Sequence, residues 1–379
     1  MSTLRELHQH GQSVWLDYIQ RSLISSGELD KLIREDGVRG LTSNPSIFEK
    51  AIAESSEYAA DLRRLGARYS SAKDIYEHLA IMDIQAAADA FRVIHADSHQ
   101  RDGFVSLEVS PELARDTEGT VAEARRLWRA VGRENLMIKV PGTIEGIPAF
   151  EALISEGINV NVTLLFSVPL YEKVAAAYKA GIARFASHGG DLSRVASVAS
   201  FFVSRVDTAV DALLESRIER AAAQQQEKLK SLLGKAAVAN AKLAYEKYKS
   251  IFAGPTWDAL EAAGARTQRV LWASTGTKNP SYRDVVYVEE LIGADTVNTV
   301  PPATLDAFRD HGIVRSTLTE GLSQAHDTVR ALAEVGISMN EVTQQLLDAG
   351  QKQFVDAFRK LLAAVDKARL AVEQATATP

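Results

Sequence analysis

Eight short apolar or alternating runs, each separated from the next by a longer stretch, constrain the fold of this chain more than any other feature. They occupy residues 13–17, 38–42, 104–109, 136–140, 158–165, 194–199, 269–273 and 295–300. Short runs rich in Val, Ile, Leu and Thr read as strands. Intervening segments such as 120–131, 148–156 and 168–186 place apolar residues every three or four positions, the helical period. Strands that alternate with helices are joined by crossovers and so lie parallel. Eight such units suggest an α/β fold of the closed (β/α)8 type, a TIM barrel. Pattern alone leaves a doubly wound open sheet as the alternative.

Two of the spacings are long, which predicts helical insertions near 50–100, with helices at 51–65 and 71–95, and near 208–266. Helices are also expected at 303–311, 317–335 and 340–373, giving a helical C-terminal extension near 317–373 and a frayed end at 374–379. With no linker and no internal repeat, residues 1–379 read as one barrel domain.

The run 136–140 carries the most telling residue. Alternation puts Leu136, Ile138 and Val140 on one face and Met137 and Lys139 on the other. Lysine is rarely buried without a reason. Desolvation favours the neutral form of an amine, and a neutral amine adds to carbonyls. The plain alternative is a lysine whose stem is buried and whose head pairs with a carboxylate or reaches water.

Parity on the other strands supplies partners. Val14 and Leu16 leave Asp17 on the opposite face; Val105, Leu107 and Val109 leave Ser106 and Glu108; Ile158, Val160, Val162 and Leu164 leave Asn159, Asn161 and Thr163. The apolar sets can pack against surrounding helices while the polar groups face the axis. Barrel interiors are ordinarily filled with branched apolar side chains, so an axis bearing Asp, Glu, Lys, Asn and Thr near the strands' carboxyl ends points to a reaction centre.

Such groups suit imine chemistry. A lysine that condenses with a ketone needs protons delivered and removed, which Glu108 can do through a water held by Thr163. Asp17 is a candidate base for breaking a carbon–carbon bond beside the iminium, and Asn44 and Asn161 can hydrogen-bond substrate hydroxyls. Two plain readings stand beside these: Asp17 and Glu108 merely neutralise Lys139, and Ser43 or Asn44 before Pro45 caps a helix. Arg205 after the sixth run and Lys278 in the glycine-containing loop 274–280 are candidates for a phosphate site, with Ser200 a further donor.

Bulk properties set limits. A composition with 46% hydrophobic and 24% charged residues suits a globular fold with ample material for a core. A net charge of −6 argues against nucleic acid as a partner but is compatible with a local cationic pocket. The absence of cysteine excludes disulfides and thiol chemistry. With no signal-peptide core and no apolar run long enough to cross a bilayer, a cytoplasmic protein without membrane association is expected. His95 and His99 have no adjacent third ligand, and the glycines make no dinucleotide fingerprint. The four tryptophans, Trp15, Trp128, Trp257 and Trp272, read as packing residues.

Segments 14–17, 40–48 (Gly-Leu-Thr-Ser-Asn-Pro-Ser-Ile-Phe), 105–110, 137–141 (Met-Ile-Lys-Val-Pro), 157–167, 197–207 and 274–280 together closely resemble the transaldolases, in order and in spacing, over essentially 13–310. The insertions and tail resemble the longer bacterial type. The resemblance implies a class I aldolase-type barrel with a lysine Schiff base, no metal and no organic cofactor. It implies transfer of a dihydroxyacetone unit from fructose 6-phosphate or sedoheptulose 7-phosphate to erythrose 4-phosphate or glyceraldehyde 3-phosphate, in the non-oxidative pentose phosphate pathway. By motif, Lys139 matches the Schiff-base residue, Asp17 the acid/base for cleavage, and Glu108 with Thr163 the holder of the catalytic water. Asn44 and Asn161 match positions that bind the dihydroxyacetone hydroxyls, and Ser200, Arg205 and Lys278 the phosphate contacts. At the last of these many relatives carry arginine. Phe202 stands where fructose-6-phosphate aldolases tend to have tyrosine, which favours transfer over release of free dihydroxyacetone. That aldolase activity, or a silent sugar-phosphate-binding barrel, is the alternative; a monomer or a homodimer fits equally.

Overall fold

The structure is a computed structural model that describes residues 2–54 and 56–377, with the side chains of 53, 54 and 371–377 outside the description. Eight parallel strands close into a barrel in chain order. They are β1 (Gln12–Asp17), β2 (Gly40–Thr42), β3 (Phe104–Glu108), β4 (Leu136–Pro141), β5 (Val160–Leu165), β6 (Ser197–Phe202), β7 (Arg269–Ala273) and β8 (Thr296–Val300). β8 returns to pair with β1, so no edge is left and the open-sheet alternative falls away.

Helices alternate with the strands because each apolar strand face needs cover. Thr117–Val131, Gly146–Ile154 and Val168–Ser187 supply it around β3 to β5, close to the segments expected. Asp116, Ser167 and Ser71 cap their helices with side-chain oxygens. The insertion after β2 holds Pro45–Glu54, Ala59–Gly66, Ala72–Ala90 and Arg92–Asp97, so the single helix expected at 51–65 is two. That after β6 holds Ala223–Lys230, Ala236–Ile251 and Pro255–Ala262. Among the tail helices the second starts at Leu322, not 317, because Thr317 folds back to donate its hydroxyl to the Glu289 carbonyl. The last runs Met339–Ala377, past the expected 373; residues 378 and 379 of the expected frayed end lie outside the described residues.

The barrel interior is layered. At the amino-terminal end Arg269 reaches Asp102 at 2.9 Å, Ser13 donates to the same carboxylate at 2.8 Å, and the Trp15 indole donates to it at 3.3 Å. Trp15 fills the axis, and a Cβ at Gly40 would lie 2.6 Å from its ring, so only glycine fits there. Conserving volume at this end is a matter of stability rather than chemistry in barrels of this type. Above Trp15 the axis turns polar and then opens.

Two local departures from the expected pattern matter for that opening. Between Val162 and Leu165 the β5–β6 register shifts, and Leu164 takes φ 61°. A leucine in the left-handed region costs about 1–3 kcal/mol, and the bulge ends the alternation at Thr163. β6 starts at Ser197, three residues later than expected, because Asp191 caps a one-turn helix over Leu192–Arg194. The strand therefore extends through Phe202 and places Ser200 within it. Among the described residues no helix is long and apolar enough to cross a membrane.

Candidate active site

A cavity of about 490 Å³ opens at the carboxyl ends of the strands. Its wall includes Asp17, Asn44, Lys139, Thr163, Ser200, Phe202, Arg205 and Lys278, eight of the ten residues singled out from the sequence. The other two, Glu108 and Asn161, stand just behind that wall.

Register explains the convergence. Parallel pairing sets Glu108 beside Lys139, Lys139 beside Asn161, and Asp17 beside Thr42. Lys139 is buried, as is Glu108, and Glu108 Oε2 lies 3.4 Å from Lys139 Nζ. That is an ion-pair distance without the alignment of a hydrogen bond, because Oε2 has no hydrogen-bond partner. Lys139 Nζ instead donates to the Ser43 carbonyl at 3.2 Å. Burial pushes the Glu108 carboxyl up to about 7, against the opposing pull of Lys139. Thr163 Oγ1, two residues from Asn161 on β5, is likewise buried without a partner. Two unsatisfied oxygens on strands flanking the lysine strand carry an energetic cost unless a further polar group bridges them.

Asp17 opens partly onto the cavity, yet protein surrounds it closely enough that burial raises its carboxyl above the usual range, with Lys139 and the Thr42 hydroxyl acting the other way. Thr42 donates to Asp17 Oδ1 at 2.7 Å, and Thr299 stands 2.7 Å behind Thr42, so β1, β2 and β8 fix the carboxylate together.

The amides behave differently. Asn44 Oδ1 accepts from the Ile47 backbone N–H at 3.0 Å and caps the Pro45–Glu54 helix, while the residue also lines the cavity. Capping uses only the oxygen, so the amide N–H groups remain for a ligand. Asn161 is more heavily engaged: Ser200 donates to its Oδ1 at 2.6 Å and its Nδ2 donates to Ser106 at 3.1 Å. It braces the floor from below, and Ser200 presents the surface above it.

The cationic side of the mouth is built from β6, β7 and the tail. Arg205, in the first turn of Ser204–Ile218, lies with its guanidinium 5.4 Å from the Phe202 ring and donates to Gln353 Oε1 at 2.8 Å. Burial lowers its pKa, opposed by Asp17. Lys278 and Gly276 face it from the loop after β7, where Ser274 at φ 56° turns the backbone. Lys50, Tyr18 and Phe354 line the same cavity beyond the residues that the sequence singles out, and Ser274, which opens the 274–280 loop, joins them. For Lys50 the signal is helical spacing: it stands four and three residues after Ser46 and Ile47, which line the cavity with it. For Phe354 no local signal exists, since it arrives from the last helix.

The arrangement suits covalent chemistry on an anionic carbonyl compound: an amine, two carboxylates with raised affinity for protons, hydroxyl and amide donors, and cations at one rim. Among the described residues no cluster of His, Cys, Asp and Glu could hold a metal ion.

Comparison with known proteins agrees with this geometry. A family profile described as transaldolase/fructose-6-phosphate aldolase matches residues 14–365. A transaldolase of Thiobacillus denitrificans is 50% identical over 96% of this chain and 100% of its own length. Transaldolases of Neisseria gonorrhoeae (47%, 96% of this chain and 99% of theirs) and Trichodesmium erythraeum (46%, 96% and 97%) are similar over as much of the sequence. The profile runs from within β1 through β8 and into the C-terminal helix as far as 365, so the chain belongs to the transaldolase/fructose-6-phosphate aldolase family.

Proposed function

We propose that this chain is a transaldolase: it moves a dihydroxyacetone unit from fructose 6-phosphate or sedoheptulose 7-phosphate to erythrose 4-phosphate or glyceraldehyde 3-phosphate through a Schiff base on Lys139. The observation that carries the reading is the 3.4 Å approach of Glu108 to Lys139 at the wall of a cavity that Asp17 shares.

In this reading Arg205 and Lys278 hold the phosphate, and the rest of the sugar reaches down to Lys139. The lysine amine adds to the C2 carbonyl, giving a carbinolamine. A carboxyl with a pKa near 7 is suited both to give and to take a proton at neutral pH. Glu108, working through a water hydrogen-bonded to it and to Thr163, protonates the departing hydroxyl, and water leaves to give the iminium. Asp17 then takes the proton of the C4 hydroxyl. Its raised affinity for protons makes it a stronger base than an exposed carboxylate. The C3–C4 electron pair flows into the iminium, leaving an enamine on Lys139 and releasing the aldose phosphate. Hydroxyl groups of the three-carbon fragment rest against Asn44 and, in place of the phosphate contact expected for it, Ser200; Asn161, expected to meet those hydroxyls itself, has its amide engaged by Ser200 and Ser106 and acts through Ser200. An incoming aldose phosphate accepts the enamine carbon, Asp17 returns the proton, and hydrolysis of the iminium frees the new ketose.

The test is an assay of carbon transfer from fructose 6-phosphate to erythrose 4-phosphate, followed by formation of sedoheptulose 7-phosphate. Acceptor-dependent product with ping-pong kinetics supports the reading. Equal release of dihydroxyacetone with and without acceptor would favour a free aldolase.

A further inference from the structure

The helix Met339–Ala377 lies outside the eight repeating units, yet it reaches the reaction centre. Leu347, Gly350, Phe354, Phe358 and Leu361 recur at helical spacing along it and are all buried, so one face is pressed onto the protein. Gly350 permits the close approach: a Cβ there would stand 3.0 Å from Leu164 Cδ2, at the bulge that ends β5. One turn on, the Phe354 ring enters the cavity wall with its centroid 5.8 Å from Lys139 Nζ. A turn further, the Phe358 ring packs edge-on at 5.7 Å against Tyr76, which packs in the same way on Phe48 of the Pro45–Glu54 helix. Arg359 also bonds Glu112 at 3.0 Å, beyond the end of β3. Phe354 is thus fixed above the lysine from both sides.

We infer that Phe354 is a specificity-determining residue that keeps bulk water, as distinct from the single water between Glu108 and Thr163, from protonating the enamine on Lys139 and so favours transfer over release. The inference rests on the transaldolase reading above. The enamine has two fates. Its nucleophilic carbon can bond to the aldehyde carbon of an acceptor, whose oxygen takes up a proton. Otherwise that carbon takes a proton from water, hydroxide adds to the resulting iminium, and the carbon–nitrogen bond breaks to give dihydroxyacetone and the free amine. Both routes consume one water in freeing the amine; only the second takes the proton on its carbon from solvent. A buried phenyl face can neither donate a proton nor relay one, and it takes up a stretch of the cavity wall beside the lysine that a polar side chain or water would otherwise fill. At 5.8 Å the ring lies at the outer limit of a cation–π contact, so exclusion of solvent, rather than binding of the ammonium, is its contribution.

The experiment compares wild type, Phe354→Ala and Phe354→Leu with fructose 6-phosphate as donor. Three quantities are read from each preparation: borohydride-trapped adduct, dihydroxyacetone released without acceptor, and transfer to erythrose 4-phosphate. The ratio of release to transfer is internal to each sample and does not depend on how much of it is folded. Removal of the ring is expected to raise that ratio about tenfold, equivalent to about 1.4 kcal/mol between the two barriers, with trapping retained and Leu falling between Ala and wild type. A ratio unchanged in both variants, whether their activity is high or low, would overturn the inference. Absence of trapping and of transfer in wild type would instead refute the transaldolase reading itself.

Discussion

Glu108 and Lys139 sit directly across the β3–β4 pair, their charged atoms 3.4 Å apart, both buried and neither hydrogen-bonded to the other. A pair held at ionic distance but poorly aligned is not a structural salt bridge at its optimum. Its carboxyl, carried to about 7 by burial, is poised to exchange protons near neutrality. Replacing Glu108 with Gln is therefore expected to slow transfer about 10²–10⁴-fold, the range of a lost general acid–base catalyst. The pH–rate profile should also lose its inflection near neutrality.

Glu108 has a stability signature as well. Its folded pKa is raised above the roughly 4.3 of an unfolded glutamate, so the folded protein holds a proton that the unfolded chain releases. Its contribution is fully present below the unfolded value and is lost as pH rises through about 7. Urea denaturation of Glu108→Gln from pH 4 to 8 should show a flatter decline than wild type; an equally steep one would mean the carboxyl is ionised throughout.

Asp17 is assigned to bond breaking and not to imine formation. Asp17→Asn should keep its hydrogen bond from Thr42 and still form the Schiff base, while cleavage falls about 10²–10⁴-fold. Mass spectrometry of the borohydride-reduced protein checks this: the adduct should carry the whole hexose phosphate rather than the three-carbon fragment. A three-carbon adduct at wild-type rate would remove Asp17 from the mechanism.

Gln353 holds the Arg205 guanidinium from the last helix. Gln353→Ala should raise KM for the phosphorylated donor about 3–10-fold, equivalent to about 0.7–1.4 kcal/mol, with little change in kcat. Steady-state kinetics decide the matter, and a fall in kcat at constant KM would contradict a role in seating the phosphate.

At the far end of the barrel, Asp102 is buried with Arg269 at 2.9 Å. Burial opposes ionisation of its carboxyl, but Arg269, Ser13 and Arg39 together hold it below the usual range. Its contribution is thus present above the unfolded carboxylate pKa and lost as pH falls through the folded one. Asp102→Asn leaves a buried arginine unpaired and should cost about 3–5 kcal/mol of stability without altering the ratio of release to transfer. Thermal and urea unfolding beside the activity assay test the separation of the two ends.

How much of this was legible in the sequence depends on periodicity. On β1, β3 and β4 strict alternation holds, so the sequence alone puts Asp17, Glu108 and Lys139 on the axis-facing side of their strands. On β5 it held only as far as Thr163, because nothing in Asn-Val-Thr-Leu-Leu announces a leucine at φ 61°. For β6 the pattern starts three residues early, because the Asp191-capped turn runs straight into the apolar Val195 and Ala196 that precede the strand. Asn44 answered two questions at once: the capping reading and the cavity reading both describe where it sits. Gln353 and Phe354 stayed hidden because an amphipathic helix declares which face is buried, not what it is buried against.

Trapping with sodium borohydride in the presence of fructose 6-phosphate, followed by proteolysis and mass spectrometry, tests the central claim most directly. The account predicts a single reduced sugar adduct on Lys139, in the β4 segment, and none in a folded Lys139→Ala variant. An adduct on any other lysine, or turnover by that variant at the wild-type rate, would contradict it.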